Sequence, residues 1–136
     1  MDSETIKTAF KGCELFEGLD DGQMGVLIIR ANSREFSAGA TIYERGEESG
    51  GTFALIGSGR ISVVAQNGFV LNELGPGEII GEVGVISQQD KRTVTIKTIE
   101  PTEILEWQIK DVEEGAPELL KRLKDLAWKR MKYWNE

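Results

Sequence analysis

Apolar and polar side chains alternate along the middle of this chain, which is typical of half-buried β-strands. The alternation is clearest in Arg60–Val63 and in Thr93–Ile99. Glycines separate these runs where tight turns need a positive φ, and Asn67-Gly68 is a hairpin signal. Eight strands are predicted: Ser33–Phe36, Thr41–Glu44, Thr52–Ile56, Arg60–Ala65, Phe69–Leu74, Glu78–Ile80, Thr93–Ile99 and Glu103–Ile109. This spacing indicates an antiparallel β-roll or jelly-roll (a double-stranded β-helix) over residues 33–110.

Helical spacing replaces this alternation in residues 1–31, where two helices are predicted. Their apolar anchors are Ile6, Phe10, Leu15, Phe16, Met24, Leu27 and Ile28. The second helix begins at Asp20 or Asp21, either of which could cap it. Asp21 is followed three residues later by Met24, which gives no capping box. The sequence therefore leaves the start of this helix open between the two aspartates.

A further helix is predicted over residues 116–135. Pro117 suits its first turn, and Glu118 suits the positive end of its dipole. Its apolar stripe follows spacings of three and four through Leu120, Leu123, Ala127, Met131 and Trp134. We expect a mainly β fold with N-terminal helices and one C-terminal helix, forming a single domain over residues 1–136.

The amino-acid composition limits the catalytic and metal-binding sites that this chain can form. The 136 residues include no histidine and one cysteine, Cys13, so the usual general base, the Ser-His and Cys-His nucleophile pairs and ordinary zinc sites are excluded. We therefore expect no enzyme, no catalytic residue and no metal. An intrachain disulfide is impossible, no apolar run approaches the ~20 residues that span a bilayer, and the first residues lack a secretory signal. These features predict a cytoplasmic protein without membrane association.

The formal net charge of −7 argues against a nucleic-acid partner, which requires clustered Lys and Arg. The charge is uneven, because residues 117–136 carry six basic and three acidic side chains. This basic segment is interpreted as the solvated face of a helix rather than as a binding patch.

One segment, residues 81–92, breaks the strand pattern. Gly81 and Gly84 permit a close approach of the backbone, and a single helical turn between them would present amides to an anion. Arg92 could pair with phosphate oxygens, and Glu82 could accept a hydrogen bond from a sugar hydroxyl. A phosphate ester that carries a hydroxyl would account for both charges. The residues alone equally allow a surface salt bridge between Glu82 and Arg92.

Several ordered motifs share their spacing with one family. They are Leu15-Phe16-x-Gly18-Leu19, Phe36-x-x-Gly39-x-x-Ile42-x-x-x-Gly46-Glu47, Phe53-Ala54-Leu55-Ile56-Gly57-Ser58-Gly59-Arg60-Ile61-Ser62-Val63, Leu74-Gly75-Pro76-Gly77-Glu78-x-Ile80-Gly81-Glu82 and Arg92-Thr93-Val94-Thr95. Over roughly residues 14–110 the chain resembles the cyclic nucleotide-binding domains of catabolite-activator-type regulators, kinase regulatory subunits and nucleotide-gated channels. The resemblance implies a phosphate cassette at residues 81–93.

The resemblance also implies roles for individual residues. Glu82 corresponds to the acceptor for the ribose 2′-hydroxyl, and Arg92 to the arginine that pairs with the cyclic phosphate. Thr93 resembles the hydroxyl residue that touches the phosphate or a guanine edge. The residues expected to frame the sugar-phosphate are Gly81, Val83, Gly84 and Val85. Leu71 and Val63 are candidates for the apolar wall against the base, with membership of the core as the alternative.

Three departures from the family pattern accompany this resemblance. Ile80 stands where an aromatic residue is usual, and Val94 where alanine is common. Residues 110–116 form a segment shorter than the family's hinge helix, and only one substantial helix follows it. Too few residues follow Ile109 for a fused effector, so we expect a stand-alone sensor or a fragment of a longer protein.

The resemblance implies a receptor for a cyclic nucleotide, with cAMP as the first candidate ligand and cGMP as the second. No other cofactor is expected. The signal would pass through the C-terminal helix to a protein partner or to a second copy. Its aromatic residues Trp128, Tyr133 and Trp134 could stack on the base, or pack on the roll or on that second copy. The alternative function is an interaction module that keeps the roll but does not respond to a nucleotide.

Overall fold

A computed structural model of the chain describes residues 3–86 and 90–133. Helix α1 (Ser3–Lys11), a short 3₁₀ turn (Glu14–Phe16) and helix α2 (Asp21–Arg30) precede the strands. The strands are β1 (Asn32–Phe36), β2 (Thr41–Tyr43), β3 (Thr52–Ser58), β4 (Ile61–Val64), β5 (Val70–Leu74), β6 (Ile79–Ile80), β7 (Thr95–Thr98) and β8 (Thr102–Gln108). Helix α3 (Glu82–Ile86) lies between β6 and β7, and helices α4 (Ile109–Gly115) and α5 (Pro117–Tyr133) follow β8.

The strands form two four-stranded antiparallel sheets, ordered β1-β8-β3-β6 and β2-β7-β4-β5. This arrangement confirms the mainly β roll with flanking helices. Because the sheets face each other, the roll encloses one apolar cluster that includes Ile56, Ile61 and Ile104. The other face of the first sheet is covered by the helices, which bury a second cluster that includes Phe53, Leu105 and Trp107.

Helix α2 begins after Asp20, which settles the alternative that the sequence left open. The Asp20 side chain accepts a hydrogen bond from the Gln23 backbone N–H, and the Gln23 side chain accepts one from the Asp20 N–H. This is a complete capping box. The pair Asp21 and Met24, which gives no capping box in the sequence, lies one residue later than this one.

The predicted boundaries of the last two strands move by one or two residues. Strand β7 begins at Thr95 rather than Thr93, and Ile109 begins helix α4 rather than ending β8. The seven-residue α4 occupies most of the segment that was expected to be too short for the family's hinge helix. A helix therefore stands at this place, in addition to the predicted C-terminal one.

The buried stripe of α5 differs in part from the predicted one. Leu123 and Ala127 are buried as expected, but Leu119 joins them rather than Leu120, which is half-buried. Met131 is exposed, and Trp134 lies outside the described residues. The buried residues of α5 do follow a spacing of three and four. The buried face begins at Leu119, which the predicted stripe omitted, and not at Leu120.

Across residues 3–86 and 90–133, no helix has the combined length and apolar character needed to cross a bilayer. Over the same ranges, no cluster of three candidate metal-ligating side chains occurs.

Candidate functional site

The turn from β6 into α3 can be made only by glycine. Gly81 has a φ of +83°, and a Cβ atom at this position would lie 2.8 Å from Arg92 Nη1 and 2.8 Å from Tyr43 Cε2. Gly84, one turn into α3, is close to Arg92 as well, because its Cβ would lie 3.2 Å from the Arg92 Cα. The two glycines thus let the α3 segment lie directly against Arg92.

Arg92 points inward and is held by neutral acceptors. Its Nη1 donates to the carbonyl oxygens of Thr52 (2.8 Å) and Gly81 (3.0 Å). Its Nη2 donates to the carbonyl oxygen of Ser49 and to Thr52 Oγ1, both at 2.7 Å. The guanidinium therefore bridges the loop before β3 and the turn before α3, and it is only 5% exposed.

The positive charge of Arg92 has no direct counter-ion within the described part of the chain. No carboxylate forms an ion pair with it there, and its buried Nε has no hydrogen-bond partner among the same residues. The ring of Tyr43 lies beneath the guanidinium, with 3.7 Å between Cζ and the ring centroid. Burial lowers the pKa of Arg92, since desolvation disfavours the charged form. A buried cation of this kind is a favourable place for an anion.

Glu82 is also buried, but its partner comes from α5. Its Oε1 accepts a hydrogen bond from Arg130 Nη1 at 2.7 Å, and its Oε2 has no partner among the described residues. Arg130 Nη1 also donates to the carbonyl oxygen of Ile79, and Nη2 lies 3.8 Å from Glu78 Oε2. The surface salt bridge between Glu82 and Arg92, which the residues alone allowed, is therefore not present.

The remaining candidates fall into distinct environments. Thr93 is exposed, Val83 is buried and Val85 is half-buried. Val63 is completely buried in the cluster inside the roll, and Leu71 is half-buried against it. Val63 thus occupies the core, which the sequence reasoning had given as its alternative. A cavity of about 10 Å³ remains beside the cassette, bounded by Tyr43, Gly81, Glu82, Arg92 and Thr93 among others.

Such a cavity holds about one water molecule, so the site is closed in this conformation. Three residues that contact Arg92 or Glu82 were not found from the sequence: Tyr43, Thr52 and Arg130. Tyr43 could have been found from the pattern, because it is an aromatic residue with a polar tip in a short predicted strand. Arg130 had no such signal, because it lies in the basic segment that was interpreted as a solvated face.

Trp128 does not stack on the roll, because 68% of its surface is exposed. The position of the Tyr133 side chain is not described, and Trp134 is outside the described residues. The base-capping role considered for these three aromatic residues stays a prediction.

Comparison with known proteins agrees with this architecture. The sequence profile of the cyclic nucleotide-binding domain matches residues 33–116. The chain therefore belongs to the cyclic nucleotide-binding domain family.

Relatives in sequence and in structure share only part of their length with this chain. The CRP-like protein Clp of Xanthomonas campestris pv. campestris is 27% identical over 92 residues, which is 65% of this chain and 40% of Clp. The chain thus spans less than half of this curated relative.

Two solved structures show the same fold. A cAMP-bound PfPKA-R superposes with a TM-score of 0.83 at 18% identity, covering 98% of this chain and 48% of that one. The c-di-GMP-responsive regulator CLP of Xanthomonas campestris superposes with a TM-score of 0.66 at 23% identity, covering 84% and 60%.

Proposed function

We propose that this chain is a receptor for a cyclic nucleotide, with cAMP as the first candidate and cGMP as the second. In this proposal Arg92 pairs with the cyclic phosphate, and Glu82 accepts a hydrogen bond from the ribose hydroxyl. Gly81, Val83, Gly84 and Val85 frame the sugar-phosphate, and Thr93 lies beside the phosphate. Leu71 is kept as a candidate for the wall against the base.

The single observation that supports this proposal most strongly is the environment of Arg92. A guanidinium that is 5% exposed, unpaired with any carboxylate in the described segments and lacking a partner for Nε is costly in an isolated domain. A phosphate would supply the missing negative charge, and it could accept from the open Nε–H and, in place of a protein oxygen, from one terminal N–H group. The buried, half-unpaired carboxylate of Glu82 supports a hydroxyl donor beside it.

The proposal is tested by calorimetric titration of ligand-stripped, refolded protein with cAMP, then cGMP, then c-di-GMP. Saturable binding of cAMP or cGMP at micromolar concentrations or below supports it, and the ratio of their affinities identifies the messenger. Arg92→Ala should weaken binding at least 30-fold, about 2 kcal/mol. The matched control is Arg60→Ala, because Arg60 is an exposed arginine that pairs with Glu73. If Arg92→Ala binds as well as wild type, the site assignment is wrong.

An interaction module that does not respond to nucleotides is the second candidate, and one observation favours it. The donors of Arg92 bind protein oxygens, Glu82 binds Arg130, and only about 10 Å³ is empty beside them. A domain that had lost its ligand could fill its cassette in this way. Absence of binding heat with all three nucleotides, on a sample with a folded circular-dichroism spectrum, would favour this module.

Helix α5 is the proposed route of the signal. Arg130 binds Oε1 of Glu82, the carboxylate whose open Oε2 would accept the ribose hydroxyl, and only about 10 Å³ is empty beside it, so ribose and α5 compete for the space around one group. Nucleotide binding would then favour a conformation in which Arg130 has left Glu82. Trp128 and Met131 are exposed on α5 and are candidates for contact with a protein partner or a second copy.

The wider setting is part of the same proposal. We place the chain in the cytoplasm as a single domain, with no enzymatic activity and with neither a nucleic acid nor a membrane as partner. Light scattering of the protein with and without nucleotide tests for a second copy.

A further inference from the structure

Tyr43 connects Arg92 to two charged residues on the neighbouring sheet. Its ring lies 3.7 Å below the Arg92 Cζ, and its hydroxyl donates to Glu106 Oε2 at 2.7 Å. The same carboxylate oxygen lies 3.0 Å from Arg34 Nη1. Four side chains thus form one row, in the order Arg92, Tyr43, Glu106 and Arg34. The carboxylate of Glu106 carries the negative charge between the two positively charged arginines.

The ring occupies the place where a buried guanidinium would normally have a carboxylate. A cation above an aromatic face is attracted by the negative face of the ring. Donation of the phenol O–H to a carboxylate polarises the hydrogen bond and makes the ring richer in electrons. Tyr43 is 4% exposed, so this attraction acts in a region of low dielectric.

The nature of the contact matters for anion binding. A carboxylate in direct contact would cancel the charge of Arg92 and would compete with a phosphate for its N–H groups. A ring attracts the cation but accepts none of the in-plane N–H groups of the guanidinium. The charge of Arg92 is therefore held in place without being neutralised.

We propose that Tyr43 is a positioning residue for Arg92: its ring takes the place of a counter-ion and keeps the guanidinium in the cassette with its charge available for a phosphate. The inference rests on the proposed function as far as the phosphate is concerned. The contact by which Tyr43 positions Arg92 involves only residues of this chain, so it can be measured without ligand.

The first test is the NMR signal of the Arg92 Nε–H group in the ligand-free protein. The ring current of Tyr43 should shift this signal upfield, and Tyr43→Phe should preserve the shift. Tyr43→Leu should remove it, while the remaining backbone signals stay dispersed. An Arg92 signal without the upfield shift in the wild-type protein would overturn the inference, and this measurement requires no variant to fold.

The second test is the affinity for cAMP of the same three proteins. Tyr43→Leu should weaken binding about tenfold, which lies between the sizes of an exposed and a fully desolvated cation–π contact. Tyr43→Phe keeps the ring and should lie within about threefold of wild type. Equal affinity of Tyr43→Leu and wild type, or an equal loss in both variants, would contradict the role of the ring. If the wild-type protein binds no cyclic nucleotide, the proposed function fails, and the NMR signal alone decides the positioning.

Discussion

The carboxylate of Glu82 and the guanidinium of Arg130 lie 2.7 Å apart, although 48 residues separate them in the chain. Glu82 is 1% exposed, and the Arg130 side chain 12%. Helix α5 is thus attached by a nearly dry ion pair to the buried acidic residue of the cassette. The pair ties the position of the last described helix to the state of the proposed binding site.

Replacement of Arg130 by methionine should destabilise the protein and should also tighten nucleotide binding. Removing one partner leaves a buried charge unpaired, so the free energy of unfolding should fall by about 3 kcal/mol. Both oxygens of Glu82 would then be open to the ribose, so the affinity for cAMP should rise. Urea denaturation and calorimetric titration measure the two effects. The double variant Arg130→Met with Glu82→Gln is the control, because it should recover part of the stability but not the affinity.

Replacement of Gly81 by alanine should cost more stability than the same change at Gly68. Both residues have a positive φ, +83° and +89°, so both variants carry backbone strain of about 1 kcal/mol or more. Only at Gly81 would the new Cβ collide with Tyr43 and Arg92, whereas nothing lies within 4 Å at Gly68. Chemical denaturation of the two variants checks this. An equal loss of unfolding free energy in the two variants would mean that Tyr43 and Arg92 move aside to make room for a Cβ at position 81.

Leu123 and Leu120 provide a test of how α5 packs. Leu123 has no exposed surface, so Leu123→Ala should lower the free energy of unfolding by about 2–5 kcal/mol. Leu120 is half-buried, and Leu120→Ala should cost less than half as much. Thermal or urea denaturation distinguishes the two. A larger loss at Leu120 would show that the helix is rotated from the orientation described above.

Stability should decline above pH 10, and Tyr43 should account for part of the decline. Burial, followed by the neighbouring charge of Glu106, raises the pKa of Tyr43 well above its ordinary value of 10.0. The unfolded chain then loses this proton first, so the stabilisation is complete below pH 10 and is lost as the pH rises further.

One titrating group contributes at most about 1.4 kcal/mol per pH unit to this decline. Tyr43→Phe should therefore show a shallower fall between pH 10 and 11, as measured by urea denaturation. Burial also raises the pKa of the Cys13 thiol, so both proteins are best compared in a Cys13→Ala background. Parallel pH profiles would contradict the assignment to Tyr43.

Much of the fold could be predicted from the sequence because its signals are local. Alternation located the strands, and Asn67-Gly68 located the hairpin between β4 and β5. The glycine at position 81 located the start of the cassette, since only glycine adopts its φ without strain. The family resemblance singled out Glu82 and Arg92; both border the same small cavity, and their roles in ligand binding stay a prediction.

What could not be predicted depends on pairing between distant residues. Arg130 reaches Glu82 only because α5 folds back onto α3, and no local pattern encodes that approach. The phase of α5 was misjudged in part because Leu119 and Leu120 are adjacent and equally apolar, and only the neighbouring helices decide which of them is buried. Tyr43 was missed for a similar reason, because its partners Glu106 and Arg92 lie 63 and 49 positions further along the chain.

Strand β3 contributes alternate residues to the two apolar clusters of the protein. Phe53 and Leu55 pack among the helices, while Ala54 and Ile56 pack inside the roll. A deletion of one residue in this strand would exchange the two sets and damage both clusters at once. The helical layer and the roll should consequently melt in one cooperative transition, and trimming away the helices would expose one whole face of the roll's central strand rather than release a smaller, self-sufficient binding unit.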